Sequence, residues 1–161
     1  MNIILKNLSS LHSRNISFNE PVKNAIISDS RFIRIQYVDP NVTLMGLLYE
    51  VPIKEISNCS NVYKKCIISY NINNRENINT FDQLKQIESI ILHKYQSNQS
   101  NIEFKNPIFN LRSHLDSGII KIYSDADNIY NKPTSNNDTF VLKISGIWEN
   151  DSEFGLTFKI L

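Results

Sequence analysis

The sequence predicts a mainly β domain, a Greek-key β-barrel of five to six strands with one α-helix between its third and fourth strands. Three observations predict it. Short runs of alternating apolar and polar residues recur along almost the whole chain. A single segment, near residues 80–95, carries its apolar residues at helical spacing instead. That segment stands inside the series of strands, with three before it and three or four after. A chain of 161 residues is long enough to bury a proper core. No internal repeat or linker divides it, so residues 1–161 read as one domain.

The first clear strand is Arg31 to Val38, with Ile33, Ile35 and Tyr37 on one face and Phe32, Arg34 and Gln36 on the other. Asp39-Pro40-Asn41 supplies a turn. Thr43 to Val51 is the second strand, and Gly46 inside it marks a bulge or bend. Val62 to Ile72 is the third, followed by a polar linker from Asn73 to Asn79. Thr80 and Gln83 form a capping box, and Phe81, Leu84, Ile87, Ile90, Ile91 and Tyr95 follow on one helical stripe. His93 and Lys94 sit in the last turn, where cations suit the helix dipole. Strands follow at Ile108 to Leu111 and Ile119 to Tyr123. The polar segment Asp125 to Asp138 reads as a surface loop. Thr139 to Trp148 and Gly155 to Leu161 close the chain as a hairpin. This order of elements is that of the oligonucleotide/oligosaccharide-binding (OB) fold.

Composition narrows the function classes. Hydrophobic residues make up 41% and charged residues 20%, too apolar for a disordered chain. Asn and Ile are unusually frequent, as an AT-rich coding sequence of a virus, microbe or plasmid would make them. The net charge of +1 means that a nucleic-acid role requires charge to be concentrated on one face. Cys59 and Cys66 do not have zinc half-site spacing and read as small, reduced residues. The N-terminal stretch lacks the apolar core of a signal peptide, and no run approaches a membrane span. The expected location is intracellular, in a host cytoplasm or at a viral replication site.

Catalytic signals are weak, and the expectation is a protein that is not an enzyme and needs no cofactor or metal. His12, His93 and His114 are widely spaced. Asp125-Ala126-Asp127 could hold a divalent cation, but it lacks the glycine and glutamate of a calcium loop and reads by default as an exposed acidic loop. Glu103-Phe104-Lys105 has the form of a nuclease triplet, with no upstream aspartate in a supporting context. No nucleophile elbow, P-loop or dinucleotide fingerprint occurs.

Binding signals are stronger. Single strands are held by aromatic platforms beside positive charge. Arg31, Phe32 and Arg34 lie together on the first strand, Tyr63, Lys64 and Lys65 open the third, and Tyr70 lies further along it. Lys121 and Tyr123 share a face of a later strand, and Lys143 and Lys159 sit in the closing hairpin. The plain alternative is that these lysines wet the open face of a half-buried sheet while the aromatics serve the core. Trp148, the sole tryptophan, falls by alternation with Phe140, Leu142 and Ile144, which face the core. At a barrel rim its ring could instead be a stacking platform.

Residues Phe140 to Glu149 and Glu153 to Ile160 carry a lysine-bearing apolar strand, Gly-Ile-Trp-Glu, a polar turn, and then Gly-Leu-Thr-Phe-Lys. This hairpin resembles the closing hairpin of the single-stranded DNA-binding proteins of large DNA viruses and linear DNA plasmids. The resemblance covers about 20 residues of a domain of five or more strands. It implies an OB-type barrel that coats single strands during replication, with Lys143, Trp148 and Lys159 on or beside the binding surface. The resemblance does not extend to an acidic tail of the bacterial kind, so recruitment of replication enzymes through such a tail is not expected. The expected partner is single-stranded DNA, with RNA and a second copy of the chain left open. The alternative is a non-catalytic structural or protein-interaction protein of a virus or mobile element. Charge placement separates the two: scattered cations favour the alternative.

Overall fold

The structure, a computed structural model, describes residues 5–6, 8, 11–62, 65–99, 104–123 and 136–161, with only the backbone at 5, 6 and 123. Alternating burial along these segments builds a single mainly β sheet packed on one side by two helices. Short strands come first: β1 (Leu5–Lys6), β2 (Ile16–Phe18) and β3 (Val22–Lys23). Strand β4 (Arg31–Asp39) then buries Ile33, Ile35 and Tyr37, as its period of two requires. β5 (Val42–Met45) returns along β4 as a hairpin, held at the turn by the Asp39 carboxylate accepting from the amides of Asn41 and Val42.

The expected second strand is broken in two by Gly46, which adopts φ +84°. A side chain there would be strained, and its Cβ would also lie 2.9 Å from the Ile144 carbonyl oxygen. Beyond this kink, β6 (Leu47–Ile53) leaves β4 and pairs with a different strand. β7 (Ile56–Val62) and β8 (Lys65–Tyr70) form a hairpin. The sequence reading missed β7 because it is a terminal strand of the sheet, mostly exposed on both faces and therefore not alternating. Cys59 and Cys66 are free thiols diagonal across this hairpin, with Sγ atoms 2.7 Å apart. Burial, reinforced by Cys59, pushes the Cys66 thiol up to about 12.

Helix α1 (Arg75–Asn98) begins five residues before the expected capping box. Asn74 is the cap, its side chain accepting from the Glu76 and Asn77 amides at 2.9 and 3.2 Å. The Glu55 carboxylate grips Asn74 and Asn71 in turn, and buried Asn77 bonds Lys54 and Asn71. The polar linker is thus the first helical turn, and Thr80 lies inside the helix. Phe81, Leu84, Ile87, Ile91 and Tyr95 are buried as the spacing predicts; Leu92, not on the expected stripe, is buried too, whereas Ile90 is exposed.

After β9 (Asn106–Ile108), the expected strand through Leu111 is instead a second helix, α2 (Asn110–Asp116). Leu111 and Leu115, four apart, both reach the core. The Glu88 carboxylate of α1 accepts from the Leu111 and Arg112 amides and so starts this helix from outside it. β10 (Ile119–Tyr123), β11 (Asp138–Glu149) and β12 (Glu153–Ile160) complete the sheet. The segment 125–135, which includes Asp125 and Asp127, lies outside the described residues.

The sheet runs β1-β6-β11-β12-β10-β8-β7, and β4 joins it at β11. Its ends at β1 and β7 do not pair with each other among the described residues. The long β11 serves two neighbours on one side. Asp138 to Ile144 pairs with β6 and Gly146 to Glu149 with β4. Between them, opposite β12, the register shifts by a bulge at Ser145. The core lies between one sheet face and the two helices, with Tyr95 against Phe18 and Phe154 and Tyr70 against Phe81. No helix among the described residues is long and apolar enough to cross a membrane.

Candidate nucleic-acid interface

Alternation that sends Ile33 and Ile35 inward turns Phe32 and Arg34 outward. Cross-strand register extends that outer face. Phe32 stands opposite Trp148 and Arg34 opposite Gly146. Across the next pair, Trp148 faces Gly155, Gly146 faces Thr157 and Lys143 faces Lys159. On β10, Ile120 and Ile122 are buried and Lys121 between them points outward, opposite Ile67. Lys65, at the start of β8, follows the same parity. Arg34, Lys65, Lys121, Lys143 and Lys159 therefore share one face with Phe32 and Trp148.

Two glycines shape this face. A Cβ on Gly146 would come 2.7 and 2.9 Å from Cε2 and Cζ of Phe32. A Cβ on Gly155 would come 2.9 and 3.0 Å from Nε1 and Cε2 of Trp148. Each aromatic ring thus covers a glycine in the neighbouring strand, a position that only a residue without a side chain leaves open. The Arg34 guanidinium lies 5.7 Å from the Phe32 ring centroid, within cation–π range.

Two recesses open on the face. The larger, about 580 Å³, is lined by Phe32, Arg34, Lys143, Ser145 and Thr157 of the sheet, by β3 beside them, and by Asn24 to Ile27 of the loop that follows β3. The smaller, about 270 Å³, lies beside β12, between its pairings with β9 and β10. Asn110, His114, Lys121, Trp148 and Lys159 contribute to its lining. The Asn110 side chain donates through Nδ2 to the Leu156 carbonyl at 2.8 Å. Burial, and after it the charge of Lys121, hold the His114 imidazole below its ordinary value. Ile27 and Thr157 line both recesses. Lys23, Arg34 and Lys143 line the first and Lys121 and Lys159 the second, and among the described residues no aspartate or glutamate lines either. Such an arrangement attracts a polyanion and offers it apolar rings.

Several expected residues sit elsewhere. Arg31 pairs with the buried carboxylate of Glu149, which also accepts from the Tyr95 hydroxyl at 3.0 Å and lies 3.6 Å from Lys105 Nζ. Arg31 and Lys105 therefore neutralise a buried charge. Tyr70 is buried on the opposite face and donates to the Leu115 carbonyl at 2.7 Å, which leaves no ring face for a base. Tyr63, Lys64 and the side chain of Tyr123 lie outside the described residues, as does Glu103. Trp148 is half-buried on the outer face, not in line with Phe140, Leu142 and Ile144. The bulge at Ser145 adds one residue and so inverts the parity of everything after it.

The sequence reading missed Lys23, Ile27, Asn110 and His114. Val22 to Ile27 has no long periodic run, and the expected strand Ile108 to Leu111 overlaps the start of α2, leaving the rest of that helix without a sequence signal. Comparison with protein-family models, curated proteins and solved structures finds no match to this chain.

Proposed function

We propose that this protein is a non-catalytic single-stranded DNA-binding protein that coats single strands during replication, by aromatic stacking and by Lys/Arg–phosphate contacts, on a barrel of OB type. One observation carries the reading. In a chain with 17 basic and 16 acidic residues, five cations meet beside two outward aromatic rings, around two recesses that no aspartate or glutamate among the described residues lines. Of the strand cations whose scatter would favour a protein-interaction role, Arg34, Lys121, Lys143 and Lys159 lie here, Lys65 lines neither recess, and Lys64 is outside the described residues. The gathered set supports a strand whose phosphates follow the cations and whose bases rest on Phe32 and Trp148. For the fold, support comes from antiparallel β4–β11 and β11–β12, a parallel β12–β10 contact, and the kink and bulge that bend the sheet at Gly46 and Ser145.

Binding of fluorescent oligo-dT, duplex DNA and oligo-rU across a salt series tests the reading. Oligo-dT should bind in preference to duplex, with an association constant that falls as salt rises. Lys121→Ala with Lys143→Ala removes one cation from each recess. The slope of log K against log salt should become shallower by about 1.4, at about 0.7 per phosphate contact on a single strand. No binding of oligo-dT at low salt, or an unchanged slope in the double variant, overturns the assignment of this face. A second reading, a protein-docking surface, is favoured by the exposed Val22, Ile26 and Met45 around the larger recess.

A further inference from the structure

Two isoleucines stand at the mouth of the recesses for no reason that folding supplies. Ile26 is 91% exposed and Ile27 44% exposed. The loop presenting them is pinned at its base. The Asn24 side chain accepts from the amides of Ile26 and Ile27 at 3.0 and 3.2 Å. Ser30 donates through Oγ to the Ile27 carbonyl at 2.9 Å and accepts at its own carbonyl from the Asn24 amide at 3.0 Å. Asp29 turns the chain back with φ +55°. A pinned loop that holds apolar side chains in water is unfavourable by itself, and becomes favourable when they meet an apolar surface.

The position of Ile27 identifies that surface. Its side chain belongs to the wall of both recesses, so it stands between the one floored by Phe32 and the one bearing Trp148. Resting on the single-strand reading above, we propose that Ile27, backed by Ile26, is a wedge that enters between two successive bases, one seated on Phe32 and the next on Trp148. Bases held in two recesses with a side chain between them cannot stack on each other. The isoleucine surface replaces the contact they lose, as apolar wedges do where proteins kink nucleic acid. The flanking cations fit this path, with Lys23, Arg34 and Lys143 on one side of the wedge and Lys121 and Lys159 on the other. The bound strand is therefore bent and locally unstacked.

The probe is oligo-dT carrying two adjacent 2-aminopurines, whose stacking gives an exciton couplet in circular dichroism. Binding to the intact protein should weaken the couplet. Ile27→Ala, alone and with Ile26→Ala, should preserve the couplet in the complex and weaken binding about fivefold or more, the scale of re-exposing part of one isoleucine. The salt slope should not move, because no charge is lost. Both substitutions are at exposed side chains of the loop, and thermal unfolding checks that the fold is retained. A couplet that survives binding to the intact protein, or an Ile27→Ala variant that binds and unstacks equally well, overturns the wedge and leaves the single-strand reading standing. Absence of oligonucleotide binding by the intact protein overturns both.

Discussion

Replacing Glu88 by alanine should be among the most destabilising single changes outside the apolar core. Glu88 projects from α1, is 0% exposed, and accepts from the backbone amides of Leu111 and Arg112 at 2.8 and 2.9 Å. Those amides begin α2, whose preceding residue, Phe109, supplies no side-chain cap. Glu88→Ala therefore strands two donors. The Leu111 amide is buried, while that of Arg112 is only partly so and water can reach it. At about 1–3 kcal/mol for each unmet buried donor, with the second discounted, the loss is about 2–4 kcal/mol. A domain of this size shifts by about 2–4 °C per kcal/mol, so the melting temperature should fall by about 4–16 °C. Glu88→Gln keeps the volume and one acceptor, and should lose about half as much.

A pH signature accompanies this change. Burial raises the Glu88 carboxyl above its ordinary 4.5, and the two amides and Arg112 reverse this only in part. The folded protein then keeps the proton to higher pH than the unfolded chain does. The linked stability is complete below the unfolded value and is lost as pH rises through the folded one. The stability of the wild type relative to Glu88→Gln should accordingly decline as pH rises from about 4.5. Urea unfolding followed by Trp148 fluorescence and by far-ultraviolet circular dichroism, repeated across pH, measures both effects. A Glu88→Ala variant within about 0.5 kcal/mol of the wild type refutes the capping argument.

Two further outcomes follow from side-chain placement, the second together with the single-strand reading. Ile87 is 2% exposed at the centre of the α1 stripe, so Ile87→Asp should abolish cooperative unfolding or lower the melting temperature sharply; an unchanged melt means that the helix does not pack as described. Trp148 covers Gly155 on the outer face, so Trp148→Ala should affect affinity more than stability, with a loss of about 1–3 kcal/mol in oligo-dT binding. Fluorescence that stays flat at saturation with oligo-dT removes Trp148 as a platform.

The alternation of Arg31 to Val38, the spacing from Phe81 to Tyr95 and the closing hairpin were legible because each repeats a local period that burial on one side imposes. A mainly β chain with a long helix in mid-sequence follows from those periods, and so does the outward placement of Phe32 and Arg34. The remainder depended on partners distant in sequence. The start of α1 turns on Glu55 holding Asn71 and Asn74. The helical state of Asn110 to Asp116 turns on a carboxylate from α1, without which Ile108 to Leu111 reads as strand. Arg31 is drawn out of the candidate interface by Glu149, and Tyr70 by its place on the inner face. Trp148 shows the division most clearly. Its strand was evident from sequence, but one extra residue at Ser145 inverts its side, and a bulge exists only in relation to the strand it faces. Local periodicity determined which segments are strand or helix; which face each residue meets, and which charges gather there, was decided by register between strands that the sequence keeps far apart.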